Sequence, residues 1–186
     1  MDSFDDSLIS TPGYNPTLKG NIKQVRKARA LIRESNKPII LAGAGVILAN
    51  ASQELKELSY LINAPVMTSL LGKGAIDETD DMALGMLGMH GRKVANDSIS
   101  ESDLIIAVGI RFSDRATGRL DSFAPNSKII HIDIDPAEIG KNVSSLVDNV
   151  IKTTLLKPAL KKKKKKKIQE LKTDGGILYG NFLAAV

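Results

Sequence analysis

The sequence predicts a Rossmann-like, doubly wound α/β domain, a parallel sheet covered by helices on both faces. Three observations carry this. Short, wholly apolar runs recur along the chain, as in Ile39-Ile40-Leu41-Ala42 and Leu104-Ile105-Ile106-Ala107-Val108. Both of these runs close on glycine, where a strand end must turn sharply. Between the runs lie stretches with apolar residues at helical spacing. Strands buried on both faces read as continuous apolar runs, and their alternation with helices implies βαβ crossovers in a parallel sheet.

The elements follow in order. Residues 1–20 read as a linker, with the turn signals Pro12-Gly13 and Asn15-Pro16 and little apolar periodicity. A helix is predicted from Asn21 as N-cap, with Ile22, Val25, Ala28, Arg29 and Ile32 recurring at helical spacing, and Pro38 ends any helix before it. The run from Ile39 to Ala42 is the first strand. Residues 51–62 form the next helix, with Leu55, Leu58, Leu61 and Ile62 on one face, and Pro65-Val66-Met67-Thr68 is the second strand. A glycine-bearing loop, Gly72-Lys73-Gly74, comes after it. Residues 94–100 are helical, residues 104–109 and 128–133 are strands, and a further helix starts at Pro136 with Asp135 as its cap. The α/β domain therefore occupies residues 21–156, and residues 157–186 form a Lys-rich tail with no obvious place in the sheet.

Composition excludes several classes of function. The 186 residues suit one domain, since domains usually hold ~100–200 residues. There is no cysteine, which removes disulfides, thiolate metal sites and a cysteine nucleophile and is compatible with a cytoplasmic setting. No stretch of about 18 apolar residues occurs, so no membrane span is expected. The formal charge of +5 rests on Lys161 to Lys167; without those seven lysines it becomes −2. The run reads as a solvated helix or tag, or else as a polyanion-binding tail. With aromatic residues at 4% and no basic stripe interleaved with them, nucleic acid is not an expected partner.

Four segments carry chemistry. Gly43-Ala44-Gly45 follows a strand and precedes a helix, where backbone amides can approach phosphates; a tight strand-to-helix turn explains it equally, and Leu48 stands where a full dinucleotide fingerprint needs glycine. Gly109-Ile110-Arg111-Phe112-Ser113-Asp114-Arg115 lies past a strand's carboxyl end and offers two arginines for a phosphate, or a local salt-bridge loop. In His131-Ile132-Asp133-Ile134-Asp135-Pro136, Asp133 is assigned to a ribose hydroxyl and Asp135 to capping. Met86-Leu87-Gly88-Met89-His90-Gly91 is apolar and punctuated by glycine; two histidines without cysteine or a carboxylate cluster make no metal site. Neither a nucleophile elbow nor a P-loop occurs.

Taken together and in order, KPIILAGAGV, APVMTSLLGKGAID, ALGMLGMHG, VGIRFSDRATG and IIHIDIDPAEIGKN resemble the central domain of the acetohydroxyacid (acetolactate) synthase family, over about residues 13–143. The resemblance implies the middle α/β domain of a thiamine diphosphate enzyme's large subunit. In that family this domain binds FAD, while flanking domains bind thiamine diphosphate and Mg2+ and condense two pyruvates to 2-acetolactate, or pyruvate with 2-oxobutyrate, with loss of CO2 in branched-chain amino-acid biosynthesis. It implies FAD contacts from Gly43, Ala44, Gly45, Ser69, Leu70, Leu87, Gly88, Met89, His90, Gly109, Ile110, Arg111, Arg115, Ala116, Asp133, Ile134 and Glu138. Met89, Asp114 and Arg115 match positions lining the family's active-site channel.

The family's catalytic residues lie in the flanking domains, so no catalytic or metal-binding residue is expected here and the domain alone is expected to be inactive. The implied partners are those domains, a regulatory small subunit and further copies of the full-length chain. Two departures stand out: Ser113 occupies a position usually held by Asp, and the acidic segment that completes the adenine site is altered, with Asp148 as its stand-in. The competing readings are the middle domain of a related thiamine enzyme, such as pyruvate oxidase or oxalyl-CoA decarboxylase, and a non-catalytic nucleotide-binding module. Deletion of residues 161–186 is expected to leave the thermal midpoint nearly unchanged; a large drop in a melting experiment would show that the tail packs on the sheet.

Overall fold

The computed structural model describes residues 21–119 and 123–144. The predicted linker, the Lys-rich tail and Asp148 lie outside the described residues.

Helix α1 spans Ile22–Glu34, and the Asn21 side chain accepts from the Lys23 N–H as an N-cap should. Strand β1 is Pro38–Ala42, followed by the short helix α2, Ala44–Leu48, and by α3, Ser52–Ile62. Asn63 ends α3 in the left-handed conformation. Next come β2, Val66–Thr68, a 3-10 turn over Leu70–Gly72, and β3, Ala83–Met86. Helix α4, Lys93–Glu101, leads into β4, Leu104–Val108; α5, Asp114–Thr117, precedes β5, Lys128–Ile132.

The five strands form one sheet in the order β3-β2-β1-β4-β5, and every pairing is parallel. The chain therefore builds outward from β1 in one direction, then returns through α4 and builds outward in the other. Strand side chains alternate between two cores. Ile40, Ala42, Val66, Leu104, Ile106 and Ile130 face Ala28 of α1, Val46 of α2 and Leu55 and Leu58 of α3. Ile39, Leu41, Met67, Ile105, Ala107 and Ile129 face Ala95 and Ile99 of α4 and the ring of Phe112. Both faces are buried, which is why the strand sequences carry no polar alternation.

Two expectations need correction. Strand β3 was not expected, because Ala83-Leu84-Gly85-Met86 is short and Gly85 sits at φ +88 beside a register shift in the β2–β3 pairing. Conversely, the chain after Pro136 forms turns rather than a helix. Asp135 does cap there, accepting from the Ala137 N–H at 2.9 Å, but the turn ends without propagating. Nucleating a helix fixes several dihedrals for one hydrogen bond, so a cap alone does not extend it.

At the amino end of the sheet, Asp103 joins β4 to the turn before β1. Its carboxylate accepts from the Ser35 hydroxyl, from the Asn36 N–H at 2.7 Å and from the Lys37 N–H at 3.0 Å. Partial burial pushes its pKa up, but the hydrogen bonds from Ser35, Asn36 and Lys37 outweigh it, and the group titrates below the ordinary aspartate value. A depressed folded-state pKa stabilises the fold above the unfolded-state value and loses that stabilisation as pH falls through the folded one. Asp103→Ala is expected to lower stability by about 2 kcal/mol at neutral pH. Chemical denaturation as a function of pH should show this gap closing below about pH 4.

Candidate functional site

The register of the sheet gathers the sequence motifs at one edge. Met86, Thr68, Ala42, Val108 and Ile132 are partners across the five strands. The next residue on each strand is therefore Leu87, Ser69, Gly43, Gly109 and Asp133, in that order across the carboxyl edge. Hydrogen bonds continue along this row. Leu87 N–H donates to Thr68 O, Ser69 N–H to Ala42 O and Gly43 N–H to Val108 O, each at 2.9 Å, and Gly109 N–H donates to Ile132 O at 2.7 Å. Each candidate loop thus leaves the sheet at the same level. From end to end the row covers four strand spacings, about 19 Å.

The reversal of strand order lies between β1 and β4, where open α/β sheets place their ligand crevice. The Gly43 loop turns toward one face, burying Val46, while the Gly109 loop turns toward the other, burying Ile110 and Phe112. At their divergence the two backbones touch. A Cβ on Gly109, which has φ +59, would lie 2.6 Å from the Cα of Gly45, and a Cβ on Gly43 would run into the Gly109 carbonyl. The Gly45 N–H also donates to Gly109 O at 3.0 Å. These glycines are therefore required by loop-on-loop packing, and the N–H groups of Gly43 and Gly45 are already used within the protein. The strand-to-helix turn accounts for Gly-Ala-Gly without a phosphate.

The neighbouring loops interlock in the same way. Ser69 Oγ accepts from the Gly72 N–H at 3.1 Å, and Gly72 packs against the Ala42 carbonyl. Gly88, at φ +109, lies against the backbone of Arg115 and Ala116, and the Met89 N–H donates to Arg115 O at 3.3 Å. The loop after β3 and helix α5 thereby meet over the edge. Asn96 of α4 braces this loop, donating to Gly88 O and accepting from its N–H.

What the edge presents outward is mixed. Leu70, Leu71 and Met89, each within three residues of a strand end, are 66%, 76% and 75% exposed, and His90 is exposed beside them. Arg111 and Arg115 are exposed, and among the described residues neither takes part in an ion pair. Asp133 is half-buried, with Oδ1 accepting from the Asp135 N–H at 3.0 Å. Ile134 is exposed. Glu138, five residues past Asp133, pairs with Lys141 at 3.3 Å. Of the site residues read from the sequence, Gly43, Ala44, Gly45, Gly109, Ile110 and Arg111 adjoin at the crevice. Leu87, Gly88, Met89, Arg115 and Ala116 adjoin through the α5 contact. Asp133, Ile134 and Glu138 lie at the β5 end, three strands from Ser69 and Leu70.

Sequence reasoning assigned no role to three residues that shape the Arg111 loop. His131 Nε2 lies 2.8 Å from Ile110 O, and Asn142 Nδ2 donates to both Arg111 O and Phe112 O. Phe112 adopts φ 48 and is buried edge-on against His131. A polar residue inside an otherwise apolar strand is the one signal that marks His131. Asn142 has no local signal, because its partners are about thirty residues away in sequence.

The residues present fit an extended ligand with an anionic middle and a flat apolar part. Two guanidinium groups without an ion pair among the described residues suit a diphosphate. Exposed leucines and a methionine suit an aromatic ring system, and an acid at a strand end suits a ribose hydroxyl. Among the described residues no group of three or more His, Asp or Glu side chains could hold a metal ion, and no helix is long and apolar enough to cross a membrane.

The packing of the crevice gives a test. Gly109→Ala forces a side chain into backbone at positive φ and should cost about 3 kcal/mol. Gly140→Ala, at φ +72 with nothing within 4 Å of the added methyl, should cost only about 1 kcal/mol. Denaturant titrations of the two variants would check the difference.

Known proteins point the same way. The family described as thiamine pyrophosphate enzyme, central domain, matches residues 25–155. The chain is 58% identical over 138 residues to the probable acetolactate synthase large subunit of Methanococcus aeolicus, an alignment covering 74% of this chain and 23% of that protein. It is 56% identical over 135 residues to the corresponding protein of Methanocaldococcus jannaschii, covering 73% and 23%. Against the acetolactate synthase large subunit of Cyanidium caldarium it is 50% identical over 129 residues, covering 69% and 22%. The chain spans less than a quarter of the length of these relatives. A parallel sheet with its loops gathered at one edge, and a family match over most of the sequence, lead to one conclusion: the chain belongs to the thiamine pyrophosphate enzyme central-domain family.

Proposed function

We propose that this chain is the FAD-binding central domain of an acetolactate synthase large subunit. The observation that carries the reading is the register row, in which Leu87, Ser69, Gly43, Gly109 and Asp133 leave the sheet at one level. A row about 19 Å long calls for an extended dinucleotide rather than a single phosphate. In this reading Arg111 and Arg115 face the diphosphate and ribityl region. Asp133 and Glu138 serve the adenosine end, which requires Glu138 to share or release Lys141. Leu70, Met89 and His90 line the flavin end, while Leu87, whose side chain is buried in the core, offers only backbone there. Ala44, Gly45 and Ile110 contribute close van der Waals approach more than hydrogen bonds, since the N–H groups of Gly43 and Gly45 are committed.

Bound here, FAD would act as a structural group rather than a redox centre. The condensation of two pyruvates to 2-acetolactate and CO2, or of pyruvate with 2-oxobutyrate, belongs to thiamine diphosphate and Mg2+ held by the flanking domains, in branched-chain amino-acid biosynthesis. The domain alone makes no product. The proposed partners are those domains, a regulatory small subunit and other copies of the large subunit, in the cytoplasm. Support comes from the large-subunit relatives, which carry the same segment within chains more than four times longer than the aligned region.

Titration of the chain with FAD, followed by flavin fluorescence, tests the reading. Arg111→Ala should weaken binding by about 1.5–3 kcal/mol, at least tenfold, as expected for a hydrogen bond to a charged group. Equal affinity in wild type and variant would refute the assignment of Arg111. Tight binding of NAD or ADP without flavin would point instead to a nucleotide-binding module.

A further inference from the structure

We propose that His131 and Asn142 are positioning residues that set the conformation of the loop bearing Arg111. The proposal rests on the reading of Arg111 as a diphosphate contact. Three consecutive carbonyls of this loop are each engaged by a side chain from elsewhere in the chain. His131 Nε2 lies 2.8 Å from Ile110 O, and because a carbonyl only accepts, the ring nitrogen carries the proton. Asn142 Nδ2 donates to Arg111 O at 3.1 Å and to Phe112 O at 3.0 Å.

Between these bonds the backbone does something unfavourable. Phe112 sits at φ 48, a region a bulky residue rarely enters, and such a conformation persists only where the surroundings over-determine it. Here they do. The Phe112 ring is buried, edge-on to His131 at 5.1 Å and to Phe123 at 6.0 Å between ring centroids. The Phe112 side chain enters the core while Arg111 and Ser113 stay on the surface.

The clamp also ties the two ends of the edge together. His131 is the penultimate residue of β5, two before Asp133, and Asn142 lies four residues past Glu138. The same short stretch that carries the proposed adenosine contacts therefore holds the loop that carries the proposed diphosphate contact. Asn142 is exposed, so its effect on the loop separates from effects on the core.

Two measurements on the full chain test this. In limited trypsin digestion without ligand, Asn142→Ala should speed cleavage of the Arg111–Phe112 bond about tenfold, with cleavage at Lys23 and Arg33 unchanged, since cutting beside a buried residue requires local opening. In FAD titration, Asn142→Ala should lose about tenfold in affinity. The double variant Asn142→Ala/Arg111→Ala should lose no more than Arg111→Ala alone, because Asn142 acts through Arg111. His131→Gln, which keeps a donor near the Nε2 position, should retain more affinity than His131→Leu. Unchanged cleavage at Arg111 in Asn142→Ala, or additive losses in the double variant, would overturn the proposal. If the wild-type chain takes up no FAD, the reading of the site falls, and the digestion still decides whether the clamp exists.

Discussion

The backbone contact between Gly45 and Gly109 is the constraint on which the rest of the carboxyl edge depends. It exists because β1 and β4 pair in parallel with Ala42 opposite Val108, so the glycines that follow them emerge side by side. With a Cβ on either chain, the two loops could not approach closely enough for Gly45 to donate to the Gly109 carbonyl. The loops would part, and the short helix α2 and the Arg111 loop would lose their fixed relation. The point of strand-order reversal is thereby given a fixed backbone. What binds above it meets side chains and loop tips rather than its amides.

The two ends of the sheet divide the work. At the amino end, Asp103 binds three donors preceding β1, and Ser102 and Ser127 exchange hydroxyl contacts just before β4 and β5. A second acid, Asp80, accepts from Tyr60 and pairs with Lys56 of α3, fixing the long connection before β3. These contacts are saturated and leave little for a ligand. At the carboxyl end the backbone is equally well tied, yet arginines, leucines and a methionine stand out from it without partners among the described residues. Such an arrangement suits binding, since the scaffold stays ordered whether or not the groups above it are engaged.

The spread of the edge groups argues for the proposed cofactor over smaller ligands. A lone phosphate needs only the Arg111 and Arg115 region. Acids at β5 and apolar groups at β2 and β3 are accounted for together by one molecule long enough to touch both. On the proposed reading the domain's role is to hold an extended, largely structural cofactor rather than to make bonds.

Much of this was legible in the sequence because it is local. Runs such as Leu104-Ile105-Ile106-Ala107-Val108 are buried on both faces and need no partner to be recognised as parallel strands, and Asn21 caps α1 through its own neighbours. The ordered motifs identified the family, since order and spacing are properties of the chain itself. Other features depended on groups far apart in sequence and were decided only by tertiary structure. Strand β3 forms despite Gly85 because β2 offers it a ladder, and the cap at Asp135 produces only a turn because a cap alone does not nucleate a helix. Register is set by which side chains fill the two cores, and it alone put Leu87, Ser69, Gly43, Gly109 and Asp133 in one row. The sequence showed glycine in Gly43-Ala44-Gly45 but not its reason: the neighbour that excludes a Cβ is Gly109, brought into contact by folding.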